Sequence, residues 1–206
     1  KNFVYASHDW LPYLSQKKLW SIFGIKLFII FDSLSCKYAD KILNHTLNVQ
    51  NLRNSYWNDK YKFKSFLFRP EINFHQKKHY KNFNKLQICF IGLSKDFLGL
   101  KILLDAIKIT DYCLVIGGIE NDITFKLEDY AKSLNISHKL SITGYLSRSE
   151  MFNIINNSSI CVNLTSSPSY SDIVLPSKLF DYLSCNKPVI ITDFQTVSKN
   201  IILKNK

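Results

Sequence analysis

The chain has 206 residues, of which 46% are hydrophobic and 14% aromatic, and this composition excludes a disordered protein and predicts a globular one. Its formal net charge of +11 suits polyanionic partners or an anionic membrane surface. The lysines are spread along the chain, and no known nucleic-acid-binding module or dense arginine patch occurs, so we expect no nucleic-acid partner.

The five cysteines occur singly and none has metal-ligating or redox spacing. They are Cys36, Cys89, Cys113, Cys161 and Cys185. We therefore expect buried thiols in a reducing, cytoplasmic setting and no metal site. The chain begins with Lys1 and shows no cleavable leader pattern, which predicts an internal segment of a longer protein.

The first seventy residues predict alternating strands and helices. The predicted strands are 3–6, 41–44 and 66–68, and the predicted helices are 15–38 and 47–55. His8 follows the first strand, where it either caps the next segment or takes part in function. Helix 15–38 carries an apolar stripe of Phe23, Leu27, Ile30 and Leu34 flanked by lysines, which either packs on a sheet or faces a membrane.

A polar, basic stretch at 71–85 predicts an interdomain linker. The domain bounds expected are therefore 1–70 for part of a first α/β domain, 71–85 for the linker, and 86–206 for most of a second domain.

From residue 86 the pattern repeats as a short apolar run, a turn and an amphipathic segment, which favours parallel βαβ units. The predicted strands are 86–91, 112–117, 138–142, 159–163 and 188–191, and the helices are 98–109, 123–134, 147–157 and 176–185. Ser147 and Glu150 predict a capping box at the third helix. This order predicts a doubly wound parallel sheet, whose ligands bind beyond the carboxyl ends of the strands.

Glycines follow three successive predicted strands, at Gly92, Gly117 and Gly144. A glycine at a strand end is often only a tight turn. Because the carboxyl ends of parallel strands lie at one edge of a sheet, three such turns predict a common crevice.

The segment 176–191 joins a helix to an apolar strand and predicts an anion- and hydroxyl-binding site. Ser177 and Asp181 lie one turn apart, and Lys178 is three residues before Asp181, so a cation and a carboxylate lie near one helix start. The alternative is a solvated ion pair at helical spacing. Asn186 is expected to end the helix in the left-handed conformation.

This segment resembles the donor-binding signature of GT-B glycosyltransferases of family 4, which carry a Pro-x-Lys-Leu-Phe-Glu-Tyr-Leu-x-x-Gly-Lys-Pro-Val-Ile run. The order and spacing agree from Pro176 to Ile190, with Asp181 in place of Glu and Asn186 in place of Gly. The strand ending in His8-Asp9 and the Ala39-Asp40 entry to the second strand resemble the same family. The resemblance implies a GT-B fold, with two Rossmann-like domains that are both incomplete here.

The resemblance also implies roles for individual residues. Asp181 would hold the ribose of a nucleotide sugar, Lys178 the diphosphate, and His8 the acceptor side. The nucleotide crevice would be formed by Gly92, Lys95, Gly117, Thr143, Gly144 and Ser177. No cofactor is expected besides the nucleotide-sugar substrate.

The chain departs from the family pattern at the diphosphate. Leu93 and Leu98 stand where the family usually has Arg and Lys, and Lys95 or Lys178 is the substitute we expect. Ile173 occupies the place of a sugar-binding glutamate, for which Ser171 and Asp172 are the nearest substitutes.

The resemblance implies a retaining, hexosyltransferase-like enzyme that moves a sugar to a saccharide or lipid-linked acceptor in cell-surface polysaccharide synthesis. It would act in the cytoplasm, with peripheral contact to the inner membrane surface. Two alternatives stay open, a binding or scaffold domain that has lost catalysis and a nucleotide-sugar epimerase of the same fold.

Overall fold

The computed structural model describes residues 2–7, 19–68, 86–92, 97–164 and 175–204. These residues form two compact units. The first contains the described residues up to 68 together with Leu175 and 194–204, and the second contains those from 86 to 164 together with 176–193. The linker 71–85 lies outside the described residues, so the domain bounds stay a prediction.

The first unit contains a parallel three-stranded sheet of order β1-β2-β3. Its elements are β1 (Val4–Ser7), α1 (Leu19–Tyr38), β2 (Lys41–Asn44), α2 (Leu47–Tyr56), a 3₁₀ turn (Lys62–Lys64), β3 (Ser65–Leu67) and the final helix, Thr196–Lys204. Thr46 caps α2, because its hydroxyl accepts a hydrogen bond from the Val49 amide at 3.1 Å. The predicted strands 3–6 and 66–68 are each shifted by one residue.

A buried carboxylate, Asp32, ties the first unit together. It accepts hydrogen bonds from the Tyr5 hydroxyl at 2.8 Å, from Arg53 Nε at 3.1 Å and from Trp57 Nε1 at 2.8 Å. Arg53 also donates through Nη1 to the side chain of Asn44, the last residue of β2. Since these residues come from four separate elements, the pattern of apolar residues gave no sign of the network.

The second unit contains a parallel five-stranded sheet of order β6-β5-β4-β7-β8. Its strands are β4 (Gln87–Ile91), β5 (Cys113–Gly117), β6 (Leu140–Thr143), β7 (Ile160–Asn163) and β8 (Val189–Ile191). Its helices are α3 (Phe97–Lys108), α4 (Asn121–Ser133), α5 (Arg148–Asn157) and α6 (Ser177–Ser184), with a 3₁₀ turn at Ser137–Lys139. The helix Thr196–Lys204 of the first unit is α7. This topology confirms the predicted doubly wound α/β fold.

Both faces of the central strand β4 are covered, which explains why its residues from Ile88 to Ile91 are apolar and buried. Ile88 and Phe90 of β4 pack with α3 and α4, whereas Cys89 and Ile91 pack on the other face with α5 and α6. The strand order reverses between β4 and β7, which is the position where open α/β sheets form a ligand crevice.

Element boundaries differ from the predictions by a few residues. Helix α4 begins at Asn121 rather than 123, and β6 begins at Leu140 because Ser137–Lys139 form a 3₁₀ turn. The capping box at α5 is confirmed, since Ser147 accepts from the Glu150 amide and Glu150 accepts from the Ser147 amide. Helix α7 was not predicted.

All five cysteines are free thiols, and Cys36, Cys89 and Cys161 are buried as expected, whereas Cys113 and Cys185 are only half-buried. Within the described residues, no group of three or more His, Cys, Asp or Glu side chains is arranged to hold a metal ion. None of the helices in the described ranges combines the length and apolarity that a membrane crossing requires.

We expect Asp32→Ala to destabilise the first unit by about 3–5 kcal/mol, because it leaves the Arg53 charge buried without its carboxylate. Lys62→Ala is the matched control, since it removes an exposed ion pair with Asp59 and should cost less than about 1 kcal/mol. Urea unfolding followed by tryptophan fluorescence measures both, because all three tryptophans precede residue 58. Equal midpoints for the two variants would contradict the assigned role of Asp32.

Candidate functional site

The crevice of the second unit opens where β4 and β7 stop pairing. The two strands are in register only at Ile88 with Ile160 and at Cys89 with Cys161. Beyond that point the hydroxyl of Tyr182 lies between them. It accepts a hydrogen bond from the Ile91 amide at 2.8 Å and lies 3.4 Å from the carbonyl oxygens of Ile91 and Val162.

Tyr182 is fully buried, and burial raises its pKa far above the usual range, so the hydroxyl keeps the proton that it donates. The phenol thereby satisfies backbone groups that the strand pairing leaves open. Because Tyr182 belongs to α6, this contact also fixes α6 beside the carboxyl ends of β4 and β7.

Helix α6 is one residue shorter at each end than the predicted range 176–185. It begins at Ser177 after Pro176, and Asn186 adopts a φ of 59° at its carboxyl end. The amide of Asn186 donates to the Leu183 carbonyl at 2.9 Å, and that of Lys187 donates to the Tyr182 carbonyl at 3.2 Å, which completes a Schellman motif. The signature Lys187 is structural, because its Nζ donates to the carbonyl oxygens of Asn156 and Ser158, each at 2.7 Å.

Lys178 lies at the start of α6 over the crevice. Its Nζ lies 4.0 Å from the centre of the buried Phe90 ring, and burial lowers its pKa to about 8. Among the described residues, no carboxylate forms an ion pair with this ammonium group. A partly desolvated cation of this kind favours an anionic ligand.

Asp181 lies one turn after Ser177, and its side chain is about one quarter exposed, with 26% of its surface accessible. The guanidinium of Arg148 lies 4.0 Å from Oδ1 of Asp181. Lys178 and Asp181 thus share the helix start, as predicted, but Lys178 lies against Phe90 rather than pairing with Asp181. The alternative of a solvated ion pair between them is therefore wrong.

The glycine turns at three strand ends are in direct contact, as the sequence predicted. The Gly92 amide donates to the Gly117 carbonyl at 2.8 Å, and the Gly118 amide donates to the Thr143 and Gly144 carbonyls at 3.2 and 3.0 Å. Gly118 has a φ of 83°, and a Cβ there would lie 3.3 Å from the backbone of Gly92. These backbones therefore approach too closely for side chains.

Gly92 and Gly117 are also restricted by neighbouring side chains. Gly92 has a φ of 119°, and a Cβ on it would lie 3.2 Å from Cε of Lys178. A Cβ on Gly117 would lie 2.5 Å from Cδ1 of Leu146. In contrast, a Cβ on Gly144 would meet nothing within 4 Å. The Lys178 side chain thus occupies the space that a side chain at position 92 would need.

Several predicted residues fall outside the described part of the chain. They are His8, Lys95, Leu93, Ser171, Asp172 and Ile173. Leu98 is described and lies in the first turn of α3 with 59% of its surface exposed. Sequence reasoning missed Arg148 and the bridging role of Tyr182. A signal for Tyr182 existed, since a tyrosine inside an otherwise apolar helix face needs a hydrogen-bond partner when buried.

The two parallel α/β units and the crevice at the strand-order reversal of the second define a Rossmann-like fold of the GT-B class. Solved structures share it. The lipopolysaccharide outer core galactosyltransferase WaaB in its apo form has 17% identity and a TM-score of 0.53, over 77% of this chain and 44% of that one. Sucrose-phosphate synthase from Thermosynechococcus elongatus has 13% identity and a TM-score of 0.59, over 93% and 50%.

The pneumococcal O-GlcNAc transferase GtfA in complex with UDP and GlcNAc has 12% identity and a TM-score of 0.55, over 75% of this chain and 30% of that one. At these identities the likeness concerns the fold alone. The chain spans half or less of the length of these three proteins. No curated protein matches it at a significant level.

Residues 71–206 match the family described as glycosyl transferases group 1. This match covers more than half of the chain, and the chain belongs to that family. The family is described by glycosyl transfer.

We expect Tyr182→Phe to loosen the crevice, because it leaves the buried Ile91 amide without its acceptor, at a cost of about 1–3 kcal/mol. Hydrogen exchange in a peptide spanning 86–92 should become faster. Tyr130→Phe is the control, since its hydroxyl donates to Asp105 at an exposed site. The bridging role would be refuted if the two variants left exchange at 86–92 equally unchanged.

Proposed function

We propose that this chain is part of a retaining, hexosyltransferase-like enzyme that moves a sugar from a nucleotide-sugar donor to a saccharide or lipid-linked acceptor, in cell-surface polysaccharide synthesis. The observation that carries the proposal is the half-buried Lys178 at the strand-order reversal, which has no paired carboxylate among the described residues, with Asp181 one turn further along α6. The activity belongs to the whole protein, of which this chain is one part.

The chemistry of donor binding assigns the residues of the second unit. The positive charge of Lys178 stabilises the departing diphosphate, and Asp181 accepts hydrogen bonds from the ribose hydroxyls. Ser177 is exposed and is the first residue of the same helix. The close backbones of Gly92, Gly117, Thr143 and Gly144 form the floor under the nucleotide.

Two further roles rest on the family resemblance. Lys95 would add a second cation at the diphosphate, and His8 would position or deprotonate the acceptor hydroxyl. The nucleotide sugar acts as a substrate, and no separate cofactor is part of the proposal.

Binding of nucleoside diphosphates tests the donor site. We expect the intact protein to bind at least one of UDP, GDP and ADP, measured by calorimetric titration. Lys178→Ala and Asp181→Ala should each weaken that binding by roughly ten- to a hundredfold, the range for a hydrogen bond to a charged group. Lys132→Ala is the control, because Lys132 is exposed on α4 and pairs with Asp129 on the same helix.

The same titration has a pH dependence set by Lys178. Its pKa of about 8 lies below the ordinary lysine value, so the side chain loses its charge within the accessible range. Affinity should fall throughout the range from pH 7.5 to pH 9.5, and most steeply above about pH 8, as the ammonium deprotonates. Lys178→Arg should remove this fall, because a guanidinium stays charged. The donor-site assignment fails if neither Lys178→Ala nor Asp181→Ala changes the affinity for the nucleoside diphosphate.

One observation favours a second candidate, a binding or scaffold domain of the same fold that has lost catalysis. Leu98 is exposed on α3 at a position where the family usually carries a cation. Such a domain would bind the nucleotide and transfer no sugar, whereas an epimerase would interconvert free nucleotide sugars without an acceptor. Product assays with the intact protein distinguish the three.

We also propose that the enzyme works in the cytoplasm at an anionic membrane surface, through the exposed apolar face of α1. This face carries Ile22, Phe23, Leu27, Ile30, Phe31 and Leu34, each between 43% and 64% exposed. Lys26 and Lys37 on the same helix are exposed as well. Apolar side chains beside lysines suit a surface of acidic lipids, and the net charge of +11 has the matching sign.

Phe23→Asp should reduce co-sedimentation with phosphatidylglycerol vesicles severalfold, because it places a negative charge among buried acyl chains. Phe125→Asp is the control, since Phe125 is equally exposed on α4 of the second unit. Vesicles of phosphatidylcholine should bind the unchanged protein more weakly. Unaltered sedimentation together with a lowered unfolding midpoint would show instead that protein covers this face.

A further inference from the structure

Arg148 contacts the carboxylate to which ribose binding is assigned. Its Nη2 lies 4.0 Å from Oδ1 of Asp181. Arg148 is the first residue of α5, directly after the loop that follows β6, whereas Asp181 lies on α6. The contact therefore links the start of the helix that follows β6 to the helix that carries Asp181.

The local structure holds the Arg148 side chain toward this contact. The capping box of Ser147 and Glu150 fixes the backbone at the start of α5. The guanidinium also lies 5.2 Å from the centre of the Phe152 ring, one turn further along the helix. An arginine whose plane rests on a ring loses less freedom when it engages a carboxylate.

A contribution to fold stability does not explain the contact between Arg148 and Asp181. The Arg148 side chain is 75% exposed, and exposed ion pairs contribute little to folding. At 4.0 Å the guanidinium attracts the carboxylate without occupying its lone pairs, and a carboxylate offers about four acceptor positions. The fixed charge of Arg148 thus biases the orientation of the Asp181 carboxylate without hydrogen bonding to it.

We infer that Arg148 is a positioning residue that orients the Asp181 carboxylate for the 2′- and 3′-hydroxyls of the ribose. This inference rests on the proposed donor site. It assigns to Arg148 a part in the selection of ribonucleotides, which is separate from the diphosphate contact made by Lys178.

The test is a titration of the intact protein with whichever of UDP, GDP and ADP it binds, and with the 2′,3′-dideoxy form of the same nucleotide. Arg148→Ala should weaken the ribonucleotide by about two- to fivefold, the scale of an exposed charge pair. It should leave binding of the dideoxy form unchanged, because that ligand lacks the hydroxyls that Asp181 contacts. Arg148→Lys should recover part of the loss, and Lys132→Ala should change neither ligand.

A second arm combines the substitutions. In an Asp181→Ala background, Arg148→Ala should have no further effect on ribonucleotide binding. An equal loss for both ligands, or an additive loss in the double variant, would overturn the inference and show that Arg148 acts by charge alone. If Arg148→Ala has no effect on binding while Asp181→Ala clearly weakens it, the inference is overturned and the proposed donor site stands. Absence of nucleotide binding by the unchanged protein would refute the proposed function itself.

Discussion

The site depends on one hydroxyl group. Where β4 and β7 diverge after Cys89 and Cys161, backbone groups that a continuous ladder would satisfy face an apolar interior. The phenol of Tyr182 fills that place and bonds with Ile91 of β4 and approaches Val162 of β7. The same side chain sets the position of α6. The Tyr182 hydroxyl therefore determines both the opening between β4 and β7 and the position of the α6 residues beside that opening.

The position of α6 determines the electrostatic environment of Lys178. With α6 held against the strand ends, Lys178 lies over the ring of Phe90 and next to the backbone of Gly92. Burial there lowers the pKa of the amine, and no carboxylate among the described residues offsets its charge. A lysine that is already desolvated before a ligand arrives favours an anion, and this is the basis of the proposed diphosphate contact.

The two units use buried polar groups in different ways. In the first, Asp32 and Arg53 form a buried ion pair whose other hydrogen bonds reach Tyr5, Trp57 and Asn44, and this network connects strands to helices. In the second, the buried Tyr182 hydroxyl joins α6 to β4, whereas Asp181 on the same helix is about one quarter exposed. The first pattern favours a unique packing arrangement, and the second leaves the Asp181 carboxylate in partial contact with solvent.

Apart from helix α7 and the two 3₁₀ turns, the sequence alone determined the order of strands and helices, because apolar runs buried on both faces and amphipathic helices leave distinct periods. It also predicted that the glycine turns lie at one edge of the sheet, because the carboxyl ends of parallel strands do, and that the helix ends at Asn186, because of the local backbone conformation required there. Only the tertiary structure decided which partners side chains find across long separations. Lys178 meets Phe90 and Asp181 meets Arg148 because folding brings them together, and no local pattern encodes such distances.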